Sequence, residues 1–196
     1  MMRYIFGLCL SLMIMSCDQP TAPAPVKATV DGTEYELTEV PGTESKHAVK
    51  RDPLGKIIEE GYIHNGLKQG AWTTYTTESY LPESITSYVD GVLNGPYLEF
   101  DPQGRVNLMA NYRANEYHGP FAKYRIGRAE QTATYVDGKL DGVFAEFDFR
   151  NGKIKQEVHY KMGVQHGPLR YFNDAGEVTL EYLYENGERV SGGIKE

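Results

Sequence analysis

The side chains of this 196-residue sequence that could work on a substrate or grip a metal ion recur at intervals instead of converging. His118 and His166 each stand just before a glycine, a place taken elsewhere in the chain by Gln69, Asn94 and Asp141. If each interval contributes two strands, two intervals separate these imidazoles by ~19 Å at ~4.8 Å per strand. One metal ion with Zn–N bonds of ~2.1 Å cannot span that gap. Glu99, Lys123 and Glu146 form a second series that alternates in sign. Paired-carboxylate hydrolysis needs two acids within ~5 to 10 Å of each other, and Glu99 and Glu146 are again two intervals apart. The sequence holds no Gly-x-Ser-x-Gly elbow, no phosphate loop and no His/Cys cluster at metal spacing. These observations make the histidines turn residues and the charged series a solvated face. The expectation is no enzyme, no cofactor and no metal.

What positions these residues is a repeat. A Gly or Asn followed four positions later by a Gly occurs as Gly66/Gly70, Gly91/Gly95, Asn115/Gly119, Gly138/Gly142 and Gly163/Gly167, and Gly187 opens a last partial copy. The first members are 25, 24, 23, 25 and 24 residues apart. Three residues before them stand Ile63, Tyr88, Tyr112, Tyr135, Tyr160 and Tyr184. Two after the second Gly stand Trp72, Tyr97, Phe121, Phe144 and Leu169, and five after it Tyr75, Phe100, Tyr124, Phe147 and Phe172. A second turn closes each unit at Gly104, Gly127, Gly152 and Gly176, with Tyr80 in that place in the first copy. Glycines this close leave no room for a helix, so each unit reads as two turns and two short strands. The alternation of Glu157-Val158-His159-Tyr160 agrees. Aromatics at plus two and plus five have opposite parity, so either both faces carry aromatics or a bulge resets the phase. The fold expected is all-β, a single-layer antiparallel meander of tandem hairpins. Trp72, Tyr97, Phe121 and Phe144 have two readings: core between hairpins, or an open row for a partner.

Residues 58–196 hold five full copies and the partial one, and residues 29–57 read as an N-terminal hairpin and a degenerate capping repeat. Gly42 and Gly55 keep the thirteen-residue interval of Gly91 and Gly104, while Ala48 and Arg51 occupy the aromatic positions. Terminal repeats require such a polar variant. Val30-Asp31-Gly32-Thr33 adds a turn signal ahead of Tyr35 and Leu37.

Residues 1–16 have the pattern of a secretory leader, with Arg3 followed by an apolar run from Tyr4 to Met15 that is too short to cross a bilayer as a helix. Its end, Ile14-Met15-Ser16-Cys17, resembles the lipobox of bacterial lipoproteins. That resemblance implies cleavage before Cys17 and acylation of its thiol. Three prolines within residues 17–28 then read as a semi-extended tether. Cys9 and Cys17 are the two cysteines, so a chain beginning at Cys17 forms no internal disulfide. A net charge of -7 argues against nucleic acid, whose binding rests on clustered Lys and Arg.

The Gly-x-x-x-Gly-x-aromatic-x-x-aromatic pattern from Ile58 to Gly187 resembles the MORN repeat superfamily, and most closely the bacterial variant of the YwqK-family antitoxins. The resemblance implies a β-meander in which each hairpin covers its neighbour's apolar face, and a partner-binding role of antitoxin or immunity type. The expected protein is an envelope lipoprotein, held to a membrane by its anchor and facing the periplasm or the cell surface. It binds a protein partner through its sheet. The alternative is a glycan- or cell-wall-binding module built on the aromatics.

Overall fold

The computed structural model describes residues 27–195, so the leader, Cys17 and most of the tether lie outside the described residues. The described chain is all-β, one open antiparallel meander in a single sheet of sixteen strands. In order these are β1 (Glu36–Glu39), β2 (Lys46–Arg51), β3 (Ile57–His64), β4 (Leu67–Tyr75), β5 (Pro82–Val89), β6 (Val92–Phe100), β7 (Val106–Arg113) and β8 (Glu116–Tyr117). Then follow β9 (Gly119–Arg125), β10 (Arg128–Val136), β11 (Lys139–Leu140), β12 (Gly142–Phe147), β13 (Ile154–Lys161), β14 (Val164–Phe172), β15 (Val178–Glu185) and β16 (Glu188–Ile194). Every strand pairs with its sequence neighbour, except that β8/β9 and β11/β12 are two strands each broken by one residue, at His118 and Asp141.

Each landmark Gly or Asn is the second residue of a two-residue turn. Asn65-Gly66, Asp90-Gly91, Ala114-Asn115, Asp137-Gly138, Met162-Gly163 and Asn186-Gly187 all have φ between 49° and 88°. Positive φ at both central residues defines the type I′ turn, whose twist matches that of a hairpin. Ala114 and Met162 are not residues that favour this region, and it costs them ~1–2 kcal/mol each. Neighbouring turns offset that cost by bracing one another. The backbone N–H groups of Gly91, Asn115, Gly138, Gly163 and Gly187 donate to the carbonyls of Lys68, Leu93, Tyr117, Leu140 and Gln165, each in the preceding copy. Along one rim the turns therefore form a ladder.

Histidine enters the same bracing. The Asp137 N–H points at His118 Nδ1 and the Asn186 N–H at His166 Nδ1, both at 3.4 Å, as the Asp90 N–H donates to Gln69 Oε1 at 2.8 Å and the Met162 N–H to Asp141 Oδ2 at 3.0 Å. A side chain just before the second Gly thus accepts from the next copy's turn. Asn115 replaces the landmark glycine and adds a bond, its Oδ1 accepting from the Leu93 N–H at 2.8 Å.

The plus-five aromatics follow a break in register. Pairing shifts between Thr74 and Tyr75, Glu99 and Phe100, Glu146 and Phe147, and Tyr171 and Phe172. At Tyr75 the hydroxyl donates to Glu60, whose register partner Thr73 lies on the face away from Trp72, so the second face carries an aromatic too. The turn at Asp31 forms, closed by the Glu34 N–H on the Asp31 carbonyl. It does not make a hairpin with β1. Residues 28–30 instead cross the turn ladder: the Ala28 N–H donates to the Gly91 carbonyl, the Val30 N–H to the Gly66 carbonyl, and Thr29 bridges to Leu67. Backbone groups left open on those turn tips account for this path.

Candidate interaction surfaces

Register places the plus-two residues in one continuous row across the sheet. Trp72 pairs with Thr86, Thr86 with Tyr97, Tyr97 with Ala110, Phe121 with Ala133, Phe144 with Val158, and Val158 with Leu169. Large and small side chains alternate from strand to strand, so rings two strands apart, ~9.6 Å at the usual spacing, share the space over the small residue between them. At the N-terminal end Gly61 and Trp72 show how tight this is. A methyl group on Gly61 would lie 2.3 Å from Trp72 Cδ2, so the indole rests directly on the glycine backbone.

The tyrosines three before the landmark form a neighbouring row on the same face. Tyr112 faces Gly95 on one side and Tyr117 on the other, and Tyr135 faces Gly119 and Leu140. Both glycines take positive φ, 109° at Gly95 and 98° at Gly119, which favours glycine there. Tyr112 and Tyr117 stack at 4.7 Å between centroids, and Tyr117 meets Phe121 and Tyr135 at 5.7 and 5.2 Å. Desolvation pushes the Tyr135 phenol up to about 12 and raises Tyr112 as well.

The four aromatics expected as an open row are therefore differently placed. Trp72 and Phe121 are buried, at 1% and 5% exposure, in two separate clusters, and Tyr97 and Phe144 are half-buried against that of Phe121. Trp72 is further closed in by Tyr35, whose ring meets it edge-on at 5.9 Å, and by Lys68 Nζ, 4.0 Å from its centroid. Its indole N–H donates to the Tyr62 carbonyl. A ring so enclosed offers a partner nothing, because in a one-layer sheet the flanking rings and the incoming segment take the place of a second layer. On this face the core reading describes Trp72 and Phe121.

The opposite face carries a surface that the aromatic spacing does not announce. Its central row runs Thr73, Ile85, Leu98, Met109, Ala122, Thr132, Ala145, each paired with the next across seven strands. The adjacent row holds Ala71 opposite Ser87, Pro96 opposite Asn111, and Pro120 opposite Thr134. Neither row contains a charge, and the central one spans ~29 Å at ~4.8 Å per strand. Charges bound it at both ends. Upstream, Glu60 accepts from the Tyr75 hydroxyl at 2.6 Å and lies 3.4 Å from His47 Nε2. Downstream, Arg170 bonds Glu157 and Glu181 at 2.7 and 2.6 Å, and Lys195 bonds Glu181 at 2.8 Å. The Lys195 and Arg170 bonds hold the Glu181 carboxyl below its ordinary range. Sequence reasoning read the aromatic positions and passed over these, although they are the alternate residues of the same strands.

The charged series lies on the aromatic face, outside the rings. Glu99 and Lys123 both pair with Leu108, and Lys123 and Glu146 both pair with Gln131, so Glu99 and Glu146 are four strands apart and share no cleft. Among the described residues no group of three or more His, Cys, Asp and Glu is placed to hold a metal ion.

No family model matches the chain, and no curated protein matches it. Among solved structures, one similar chain is a mutant of S. aureus TarM in complex with fondaparinux, alpha-GlcNAc-glycerol and UDP. It is 16% identical over 55% of this chain, with a TM-score of 0.35. The match takes in 21% of the TarM chain, and a likeness of this degree bears neither on fold nor on activity here.

Proposed function

We propose that the protein is a non-enzymatic lipoprotein of the bacterial cell envelope, anchored through Cys17, that binds a protein partner on its repeat sheet. One observation carries the partner reading: the uncharged row from Thr73 to Ala145, long, flat-edged in chemistry and fenced by ion networks. Charge depletion at the centre with a polar rim is the composition of protein interfaces. The regular β-ladder holds that row in a fixed geometry, with Ile85, Leu98 and Met109 half-buried and Ala122 and Ala145 buried between them, which lowers the ordering cost of association. The resemblance of Ile58–Gly187 to MORN-type repeats of the YwqK kind suggests an antitoxin or immunity role, in which the partner is a toxin.

The full chain is to be purified from solubilised envelopes alongside Leu98→Glu and Met109→Glu. The reading expects a stoichiometric protein to come with the wild type and to fall at least tenfold with either variant. Loss of neither, or retention of the same protein by Leu98→Glu, would overturn it. Cys17→Ser should move the protein from the membrane to the soluble fraction.

A further inference from the structure

The outer turns of the third and fourth copies, on the rim opposite the ladder, enclose a cleft of about 320 Å³, within the ~300–1,000 Å³ usual for small-ligand sites. Four cations line it, Lys123, Arg125, Arg150 and Lys155, in a protein whose net charge is -7. The cleft at the equivalent place in the first and second copies is lined by Thr74, Glu83, Ser84, Tyr97, Glu99 and Phe100 and has no cation. The repeat architecture therefore does not demand these charges.

Three carboxylates, those of Glu130, Glu146 and Asp148, share the cationic cleft. Its ion pairs are long: Lys123 and Arg125 each lie 3.8 Å from Glu130, and Arg150 lies 3.8 Å from Asp148. Elsewhere Lys50–Glu34, Arg105–Asp101 and Arg170–Glu181 close to 2.6, 2.7 and 2.6 Å. Guanidinium donors that do not close on a protein carboxylate are free for a ligand's anionic group. Arg125 is nonetheless held in place, its guanidinium 4.1 Å from the Phe149 ring centroid, and Arg128 donates to the Arg150 carbonyl and braces the same turn.

We propose that this cleft binds an acidic saccharide, a sugar ring carrying a carboxylate or a phosphate. Arg125 and Arg150, both over the Phe149 ring at 4.1 and 5.7 Å from its centroid, take the anionic group, Glu146 and Asp148 accept from ring hydroxyls, and Phe147 supplies apolar contact. Acid, base and aromatic groups within one small cleft match the mixed chemistry of a charged sugar. They suit a bare anion less, since the carboxylates would repel it. The proposal is independent of the uncharged row, whose Ala122, Thr132 and Ala145 are the alternate residues to Lys123, Gln131 and Glu146 and lie on the other face of the same strands, so either can fail alone.

The test uses the full chain in amide-resolved NMR titrations with a uronate-containing hyaluronan tetrasaccharide, glucose 6-phosphate, neutral maltotetraose and inorganic phosphate. Shifts at Arg125, Phe149 and Arg150 with the hyaluronan tetrasaccharide or with glucose 6-phosphate support the proposal. Which of the two binds tells carboxylate from phosphate. Arg125→Gln and Arg150→Gln, exposed positions whose folding is checked by circular dichroism, should each weaken binding at least tenfold, whereas Glu99→Gln in the upstream cleft should not. Equal binding of maltotetraose, phosphate binding as tightly as glucose 6-phosphate, or no shift at millimolar ligand would each overturn it.

Discussion

Trp72 and Tyr182 lie in the same side-chain row near opposite ends of one sheet, and only the first is sealed. Over Trp72 sit Tyr35 and Lys68, with Val30 and Tyr88 packed beside it. Tyr182 is half-buried, with Arg189 4.9 Å from its centroid and with the exposed strand β16 next to it, where Val190 and Ile194 are 50% and 83% exposed. The contrast shows where a single-layer protein obtains its core. A ring in the middle is covered by rings on either side, so each end needs a separate lid. The first end has one, made from the segment before β1. At the last end Tyr182 keeps its contact with Arg189 on that face, while the polar bonds through Glu181, Arg170 and Lys195 lie on the opposite one.

If this contrast holds, Trp72→Ala should show the largest effect, a loss of about 4 kcal/mol by urea unfolding, within the range for emptying a large buried aromatic site. Gly61→Ala should cost about 3 kcal/mol, because the added methyl meets the indole and not a flexible chain end. Adding Trp72→Leu to Gly61→Ala should recover part of that loss, since the fifth copy pairs Val158 with Leu169 at the equivalent place. A strictly additive double variant would break the packing account. Tyr35→Ala should cost about 2 kcal/mol, the value of one large side chain's burial. It should also raise amide hydrogen exchange in β3 and β4, leaving β14 and β15 unchanged. Tyr182→Ala should cost under about 1 kcal/mol. Were it to match Trp72→Ala, the two ends would not differ as described.

The smallest effect is one of pH. The carboxyl of Glu181 is lowered by Lys195 and Arg170, so its contribution is complete above the unfolded-state value of ~4.3 and fades as pH falls through the depressed folded value. Protection of the β15 and β16 amides, corrected for the intrinsic exchange rate at each pH, should accordingly fall at acid pH in the wild type. Glu181→Gln should start from higher exchange at neutral pH and show a flatter acid dependence.

Much of this fold was legible because its turns are chemically specific. Asn65-Gly66 and Asp90-Gly91 can scarcely be anything but two-residue hairpin turns, and the recurrence of such turns every 23 to 25 residues sets strand order. Tyr80, standing where other copies have glycine, does adopt positive φ, 56°. Less legible was what lies beside the landmarks. Gly61, Ala110 and Ala133 look like unremarkable strand residues until register puts each next to a ring. The path of residues 28–30 was hidden because a turn at Asp31 fixes a reversal of direction but not the partner on which the incoming segment lands. Spacing alone makes His118 and His166 turn residues, whereas His118 falls in the one-residue break between β8 and β9 and His166 lies inside β14; their service to the following copy needs three-dimensional neighbours. The uncharged face escaped notice for a related reason: alternation tells which residues share a side, whereas whether that side is fenced by charge depends on strands far apart in sequence.

The ladder of turn amides has a direction. Every N–H points back to the copy before it, from Gly187 toward Gln165 and so on to Gly91 and Lys68. Such a rim is polar in the sense that a filament is polar: a unit has a donating side and an accepting side. Lengthening or shortening the protein by whole units would leave each remaining joint chemically the same, so reach can change while the two ends keep their own terminations.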